Sequence, residues 1–94
     1  MSIVKGKIKA DEETIGLARL ILEEYGFKSE EEAENAIYFE EERDPFYFNR
    51  TKAYEMMRKL YEVGIKNIEI QACSIVEIYK YSVDEENGFQ VKKL

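Results

Sequence analysis

The sequence predicts an α+β fold in which an N-terminal strand precedes three helices and a C-terminal β-hairpin. Two patterns indicate this architecture. Apolar residues recur at helical spacing in three segments between Glu12 and Val63, and after Lys66 they alternate with polar residues as in strands. The 94 residues contain no repeat or low-complexity linker and only one proline, so we predict a single domain over residues 1–94.

The first predicted strand is the segment IVKGKIKA, in which apolar residues alternate with lysines. Because lysines discourage a strand from pairing with another chain, we expect this strand at an edge of its sheet. Asp11 follows at a position suited to capping a helix. The first helix is predicted over residues 12–25, and Gly26 suits its C-terminal cap.

Two further helices are predicted from capping residues. The segment SEEE has the spacing of a capping box, with Ser29 as the cap and Glu32 three residues later, so a second helix is expected to about Glu42. Asn49 is a suitable N-cap for a third helix, which Gly64 would end. The predicted buried stripe of this third helix consists of Ala53, Met56, Met57, Leu60 and Val63.

The C-terminal region is predicted to form strands. The alternation that starts near Ile68 continues for longer than one strand usually runs, so a bend or break is expected near Ala72-Cys73-Ser74. The second part, SIVEIYKYSV, is predicted to turn at DEENG and to return as FQVKKL. The chain should therefore end in a β-hairpin.

This arrangement resembles a winged helix-turn-helix domain. The resemblance covers residues 12–94 and rests on a third helix of the form N-R-T-x-x-x-x-M-x-R-K-L-x-E-x-G-I followed by strand, turn and strand. Its most specific residues are Thr51, Leu60, Glu62, Gly64 and Ile65. The resemblance implies a DNA-binding transcriptional regulator that inserts its third helix into the major groove and uses the hairpin as a wing.

The resemblance also implies a set of DNA-binding residues at the start of the third helix. Those placed near bases and phosphates are Asn49, Arg50, Thr51 and Lys52. Arg58, on the same helix, is a further candidate for a phosphate contact. The alternative interpretation of these cations is a solvated helix face, which is common in proteins that bind no nucleic acid.

The distribution of charge supports a different function. Residues 1–44 hold 13 acidic against 6 basic side chains, whereas residues 45–94 hold 7 against 8. The acidic block that includes Glu40, Glu41, Glu42 and Asp44 could mimic phosphate spacing, contact a basic partner, or form a solvated face. The alternative hypothesis is therefore an acidic inhibitor or adaptor, virus-encoded or cellular, that blocks a basic nucleic-acid-binding partner.

Several other functions lack their sequence signals. The chain has no histidine, no glycine-rich phosphate loop and no EF-hand spacing, so we expect a non-enzymatic protein without cofactor or metal. A single cysteine agrees with a reducing compartment, and the absence of a long apolar run or signal peptide indicates the cytoplasm. A short chain with many aromatic residues is also suited to a homodimer.

Overall fold

The computed structural model describes residues 2–44, 48–73, 78–84, 86 and 88–93. These residues form two helices and six strands: β1 (Ser2–Lys9), α1 (Ile15–Glu24), β2 (Glu30–Ala33), β3 (Ala36–Arg43), α2 (Arg50–Glu62), β4 (Asn67–Cys73), β5 (Ile78–Asp84) and β6 (Gly88–Lys93). The strands form one sheet in the order β2-β3-β1-β4-β5-β6, and every neighbouring pair is antiparallel.

The predicted architecture of three helices followed by a hairpin is wrong. The segment predicted as the second helix is instead the strand pair β2 and β3. Glutamates favour helices on their own, but Ile37 and Phe39 alternate with more exposed neighbours and are buried against the rest of the core. Tertiary packing of these two side chains therefore outweighs the helical preference of the segment.

A tight turn joins β2 to β3. Ala33 pairs with Ala36, so Glu34 and Asn35 form a two-residue connection, and Asn35 has a positive φ of 58°. Asparagine tolerates this left-handed conformation better than most residues do. The sequence carried this signal in its Glu-Asn pair, but the capping-box pattern just before it favoured the helical interpretation.

The first strand is central and not an edge strand, so that prediction is also wrong. β1 pairs with β3 on one side and with β4 on the other. Val4, Gly6 and Ile8 are buried, whereas the lysines between them lie on the solvent side. The alternation of apolar residues and lysines correctly predicted that one side of the strand is exposed. Lysines on a solvent-facing side, however, are compatible with a central strand of the sheet. Among the described strands the edges are β2 and β6.

The first six elements follow the split β-α-β arrangement that is also called ferredoxin-like. Their order along the chain is βαββαβ, and their four strands lie in the order β2-β3-β1-β4. β5 and β6 extend this sheet beyond β4. β4 ends at Cys73, within the segment predicted to break, and residues 74–77 lie outside the described part of the chain.

α2 forms where capping and periodicity predict it, whereas α1 begins at Ile15 with Thr14 as its N-cap, so the predicted start at Glu12 with Asp11 as the cap is wrong. The side chain of Asn49 accepts a hydrogen bond from the backbone N–H of Lys52 at 3.1 Å, which confirms it as the N-cap of α2. Gly26 and Gly64 follow the helices with φ of 83° and 100°, so both predicted C-terminal stops are confirmed. The predicted stripe of α2 is buried except for Val63, which is half-buried.

Aromatic rings pack closely around Phe39, the cross-strand partner of Gly6. Phe27 packs its ring on Phe39 with centroids 5.0 Å apart and on Phe48 at 5.1 Å. A Cβ atom at Gly6 would lie 2.5 Å from the carbonyl oxygen of Glu69 and 2.7 Å from the Phe39 ring. Only glycine at position 6 therefore leaves room for the Phe39 ring beside β1.

Candidate nucleic-acid interface

The sheet has two unlike faces. Both helices pack on one face, where alternate strand residues such as Ile8, Ile37, Ile70 and Tyr81 form a single core with them. The residues between them line the other face, which no described element covers. This second surface is called the open face below. A strand buried on one side only is the usual arrangement in antiparallel sheets.

Five lysines on three strands lie on the open face. Lys5, Lys7 and Lys9 occupy alternate positions of the central strand β1, and Lys80 and Lys92 are cross-strand partners on β5 and β6. The register continues from Lys5 through Gln71 to Lys80, so one row of the sheet carries lysines on three strands. These five residues are called the lysine patch.

Few acidic groups share this part of the open face. Among the described side chains of β1, β4, β5 and β6, Glu69 is the one carboxylate on this face, and it lies 3.5 Å from the ammonium group of Lys80. Among these described side chains five cations against one anion give the region a positive charge, although the chain as a whole carries −6. The charge of this region is thus opposite in sign to that of the whole protein.

The remaining strands of the open face are acidic. Glu40 and Glu42 lie on β3, and Glu30 lies opposite Tyr38 on β2. The hydroxyl of Tyr38 donates a hydrogen bond to Glu40 at 2.9 Å. Glu30, Glu40 and Glu42 are called the acidic margin. The open face therefore changes sign between β3 and β1, where Lys5 and Glu40 are direct cross-strand partners.

A shallow depression marks the middle of the open face. It has a volume of about 170 Å³. Its lining consists of Lys5, Gly6, Lys7, Tyr38, Glu69 and Gln71. Ammonium groups beside an aromatic ring are the groups that single-stranded nucleic acids contact, because the cations meet phosphates and the ring stacks on bases.

The DNA-binding residues predicted from sequence lie on the other side of the molecule. Lys52 lies 3.4 Å from Glu55, and Arg58 lies 3.2 Å from Glu62, so both cations form ion pairs within α2. Thr51 and Asn49 are exposed at the helix start, and Asn49 is engaged as the cap. Of Arg50 only the backbone is described. These residues stay a prediction, and the structure separates them from the lysine patch by the thickness of the sheet.

The acidic block predicted as a protein-binding surface is divided between two faces. Glu40 and Glu42 belong to the acidic margin. Glu41 instead accepts a hydrogen bond from the backbone of Lys28 at 3.2 Å and forms an ion pair with Arg43 at 3.0 Å. Asp44 is exposed just beyond β3. The block is split because a strand sends successive side chains to opposite faces.

A second polar cluster lies between the helices, around a cavity of about 460 Å³. The ammonium group of Lys59 donates a hydrogen bond to Glu24 at 2.9 Å and lies 5.3 Å from the ring centroid of Tyr25. The contact with Glu24 raises the pKa of Lys59 above its ordinary value, and burial raises the pKa of Tyr25. Lys59 and Glu24 thus neutralise each other across the helix pair.

The lysine patch is the feature that sequence reasoning missed. The alternation of lysines in β1 was visible, but the pairing of β1 with β4 and of β4 with β5 brings Lys80 and Lys92 alongside it. The pairing of β1 with β4 joins residues 58–70 positions apart, for which the sequence holds no local signal. Within the described residues no group of three acidic, cysteine or histidine side chains is arranged to hold a metal ion.

The fold and the open face define a class: a small α+β protein with a split β-α-β core and one uncovered sheet face of divided charge. Comparison with protein-family models, with curated protein sequences and with solved structures finds no match. Neither helix in the described part of the chain is long and apolar enough to cross a membrane.

Proposed function

We propose that this protein is a non-enzymatic nucleic-acid-binding protein that holds a single strand on the open face of its sheet. The observation that supports this most directly is the lysine patch beside Tyr38. Phosphates of a nucleic-acid strand laid across β1, β4, β5 and β6 would meet the ammonium groups of Lys5, Lys80 and Lys92 in one row, and a base would reach the central depression.

The width of the sheet favours a single strand over a duplex. Neighbouring strands lie about 4.8 Å apart, so six of them span about 24 Å. The major groove of B-DNA is about 12 Å wide and admits a helix or a two-stranded ribbon. A sheet twice that width cannot enter the groove, whereas the bases of a single strand can lie flat against it.

The negative charge of the whole chain does not prevent such binding. Charges more than a Debye length apart, about 8 Å at physiological ionic strength, are largely screened from each other. The carboxylates of α1 and α2 lie beyond the sheet and the buried core, so the local charge of the lysine patch dominates at contact. The acidic margin would repel phosphates from β2 and β3 and so confine the strand to the lysine patch.

The test is a fluorescence anisotropy titration with labelled single-stranded DNA, single-stranded RNA and duplex DNA at several salt concentrations. We expect the single strands to bind more tightly than the duplex, with an affinity that falls steeply as salt rises. The variant that removes the central lysines should lose most of this binding. It carries Lys5→Gln, Lys7→Gln and Lys9→Gln.

A matched control loses the same amount of charge elsewhere on the surface. It carries Lys52→Gln, Arg58→Gln and Lys66→Gln, and it should bind like the wild type if the open face is the interface. Equal losses in the two variants would show that only net charge matters. Absence of binding to any single strand at low salt, where the electrostatic contribution is largest, would exclude the proposed function.

The acidic margin supports a second candidate function, binding to a basic protein. Glu30, Glu40 and Glu42 project from neighbouring strands on one face and could contact the nucleic-acid-binding surface of such a partner, as an inhibitor or adaptor would. Affinity capture from the source lysate after nuclease treatment tests this. The double variant Glu40→Lys, Glu42→Lys should lose the captured protein, whereas the Lys5→Gln, Lys7→Gln, Lys9→Gln variant should retain it.

A further inference from the structure

The two edges of the sheet carry opposite charges. Within the described residues β2 and β6 each pair with a strand on one side only, so both present unpaired backbone groups. β2 has the sequence EEEA, and Glu30 and Glu31 are exposed on it. β6 has the sequence GFQVKK, and Lys92 is exposed on it. Unpaired strand edges are templates for pairing with another chain.

The charges decide which edges can meet. Two β2 strands placed side by side would set glutamates against glutamates, whereas β6 of one copy beside β2 of the next sets Lys92 near those glutamates. Like charges directly opposite each other destabilise a strand pair, whereas opposite charges stabilise it. Symmetric pairing through β2 is therefore disfavoured, and pairing of β6 with the β2 of a second copy is favoured.

The directions of the strands also permit this contact. Every neighbouring pair in the sheet is antiparallel and the number of strands is even, so β2 and β6 run in opposite directions. A second copy in the same orientation can then place its β2 antiparallel to the first copy's β6. In that arrangement the open faces of both copies lie on the same side.

We propose that copies of this chain associate edge to edge, with β6 of one copy beside β2 of the next, and so continue the sheet. Because the two surfaces differ, each contact leaves a free edge of either kind, and the assembly grows as a chain. The lysine patches of successive copies would then follow one another along one surface. The edge contact does not rest on the proposed ligand, since it involves only the protein.

The first measurement is sedimentation velocity of the purified protein without nucleic acid, over a range of protein and salt concentrations. We expect species larger than the 11.1 kDa monomer that increase with protein concentration and decrease with salt. A monomer at every concentration would overturn the proposal, because the charged edges would then act to prevent pairing.

Two charge-reversed variants test the pairing rule. One makes both edges basic through Glu30→Lys and Glu32→Lys, and it spares Glu31, which lies 2.7 Å from Arg19. The other makes both edges acidic through Lys92→Glu and Lys93→Glu. Each variant alone should be monomeric, because its two edges repel. An equimolar mixture should assemble again, since basic edges then meet acidic ones.

A control separates edge pairing from net charge. Glu12 and Glu23 are exposed and lie outside the strands, and the variant Glu12→Lys, Glu23→Lys has the same net charge as the basic-edge variant. It should associate like the wild type. Association by either single-sign variant alone, or failure of the mixture to assemble, would contradict pairing of β6 with β2. Circular dichroism of each variant confirms that loss of association is not loss of folding.

Discussion

The two faces of the sheet are built from the same strands but differ in burial and in charge. On β1, Val4, Gly6 and Ile8 are buried under the helices, while the three lysines that alternate with them lie on the open face. The helix-covered face is apolar and closely packed, and the open face is charged. Because alternate residues of one strand face opposite ways, stability and binding can be changed separately in this protein.

The largest expected difference between the faces is in stability. Leu60 is fully buried on α2, and Leu60→Ala should lower the free energy of unfolding by about 2–5 kcal/mol, because it leaves a cavity. Lys9→Ala, on the exposed side of β1, should change it by at most about 0.5 kcal/mol. Urea denaturation measures both. A loss below about 1 kcal/mol for Leu60→Ala would contradict the packing described for the covered face.

Substitutions of two glycines, one on each kind of element, give the next largest expected change in stability. Gly6→Ala should cost about 1–3 kcal/mol, because the added Cβ would meet the Glu69 carbonyl and the Phe39 ring. Gly16, near the start of α1, has nothing within 4 Å of its Cβ position, so Gly16→Ala should stabilise the protein by about 0.5–1 kcal/mol. Opposite shifts of the thermal midpoint are expected. A higher thermal midpoint for Gly6→Ala would mean that β1 and its neighbouring strands can separate enough to accept a side chain.

The parts of the fold that follow local rules could be predicted from the sequence. Asn49 and Gly64 bound α2 because capping depends on residues within one turn of the helix end. β2 and β3 could not be predicted in this way. Their glutamates favour a helix locally, and burial of Ile37 and Phe39, which only the assembled sheet provides, decides for strands.

The candidate site was less predictable than the fold. Sequence reasoning selected the cations of α2, since a helix start with Arg50 and Lys52 resembles a recognition helix. In the structure Lys52 and Arg58 pair with glutamates of their own helix. The lysine patch depends on strand order, which is a set of long-range pairings. No spacing along the chain indicates that Lys5 and Lys92 share a face.

Binding gives the third comparison between the faces. If phosphates contact the lysine patch, Lys5→Gln should weaken single-strand binding and reduce the slope of log affinity against log salt by about one unit. Arg58→Gln, on α2, should leave the slope unchanged. The slopes come from anisotropy titrations at four or more salt concentrations. If Arg58→Gln gives the larger change, the nucleic acid binds the helix layer and the open face serves another purpose.

The smallest expected effect concerns a charge on the covered side. The hydrogen bond from Lys59 to Glu24 holds the pKa of Lys59 above its ordinary value of 10.5. Glu24→Gln removes the carboxylate and should return this pKa toward that value. An NMR titration of the Lys59 side chain in the wild type and in Glu24→Gln measures the change.

The sign of the linked stability change follows from the direction of this shift. A group that binds its proton more tightly in the folded state stabilises that state fully below its unfolded pKa, and this contribution disappears as the pH rises through the folded pKa. The wild type should therefore exceed Glu24→Gln in stability at neutral pH, by a small amount because the pair is partly exposed. The difference should vanish in strongly alkaline solution. A difference that persists there would show that Glu24 stabilises the helix pair through packing and not through its charge.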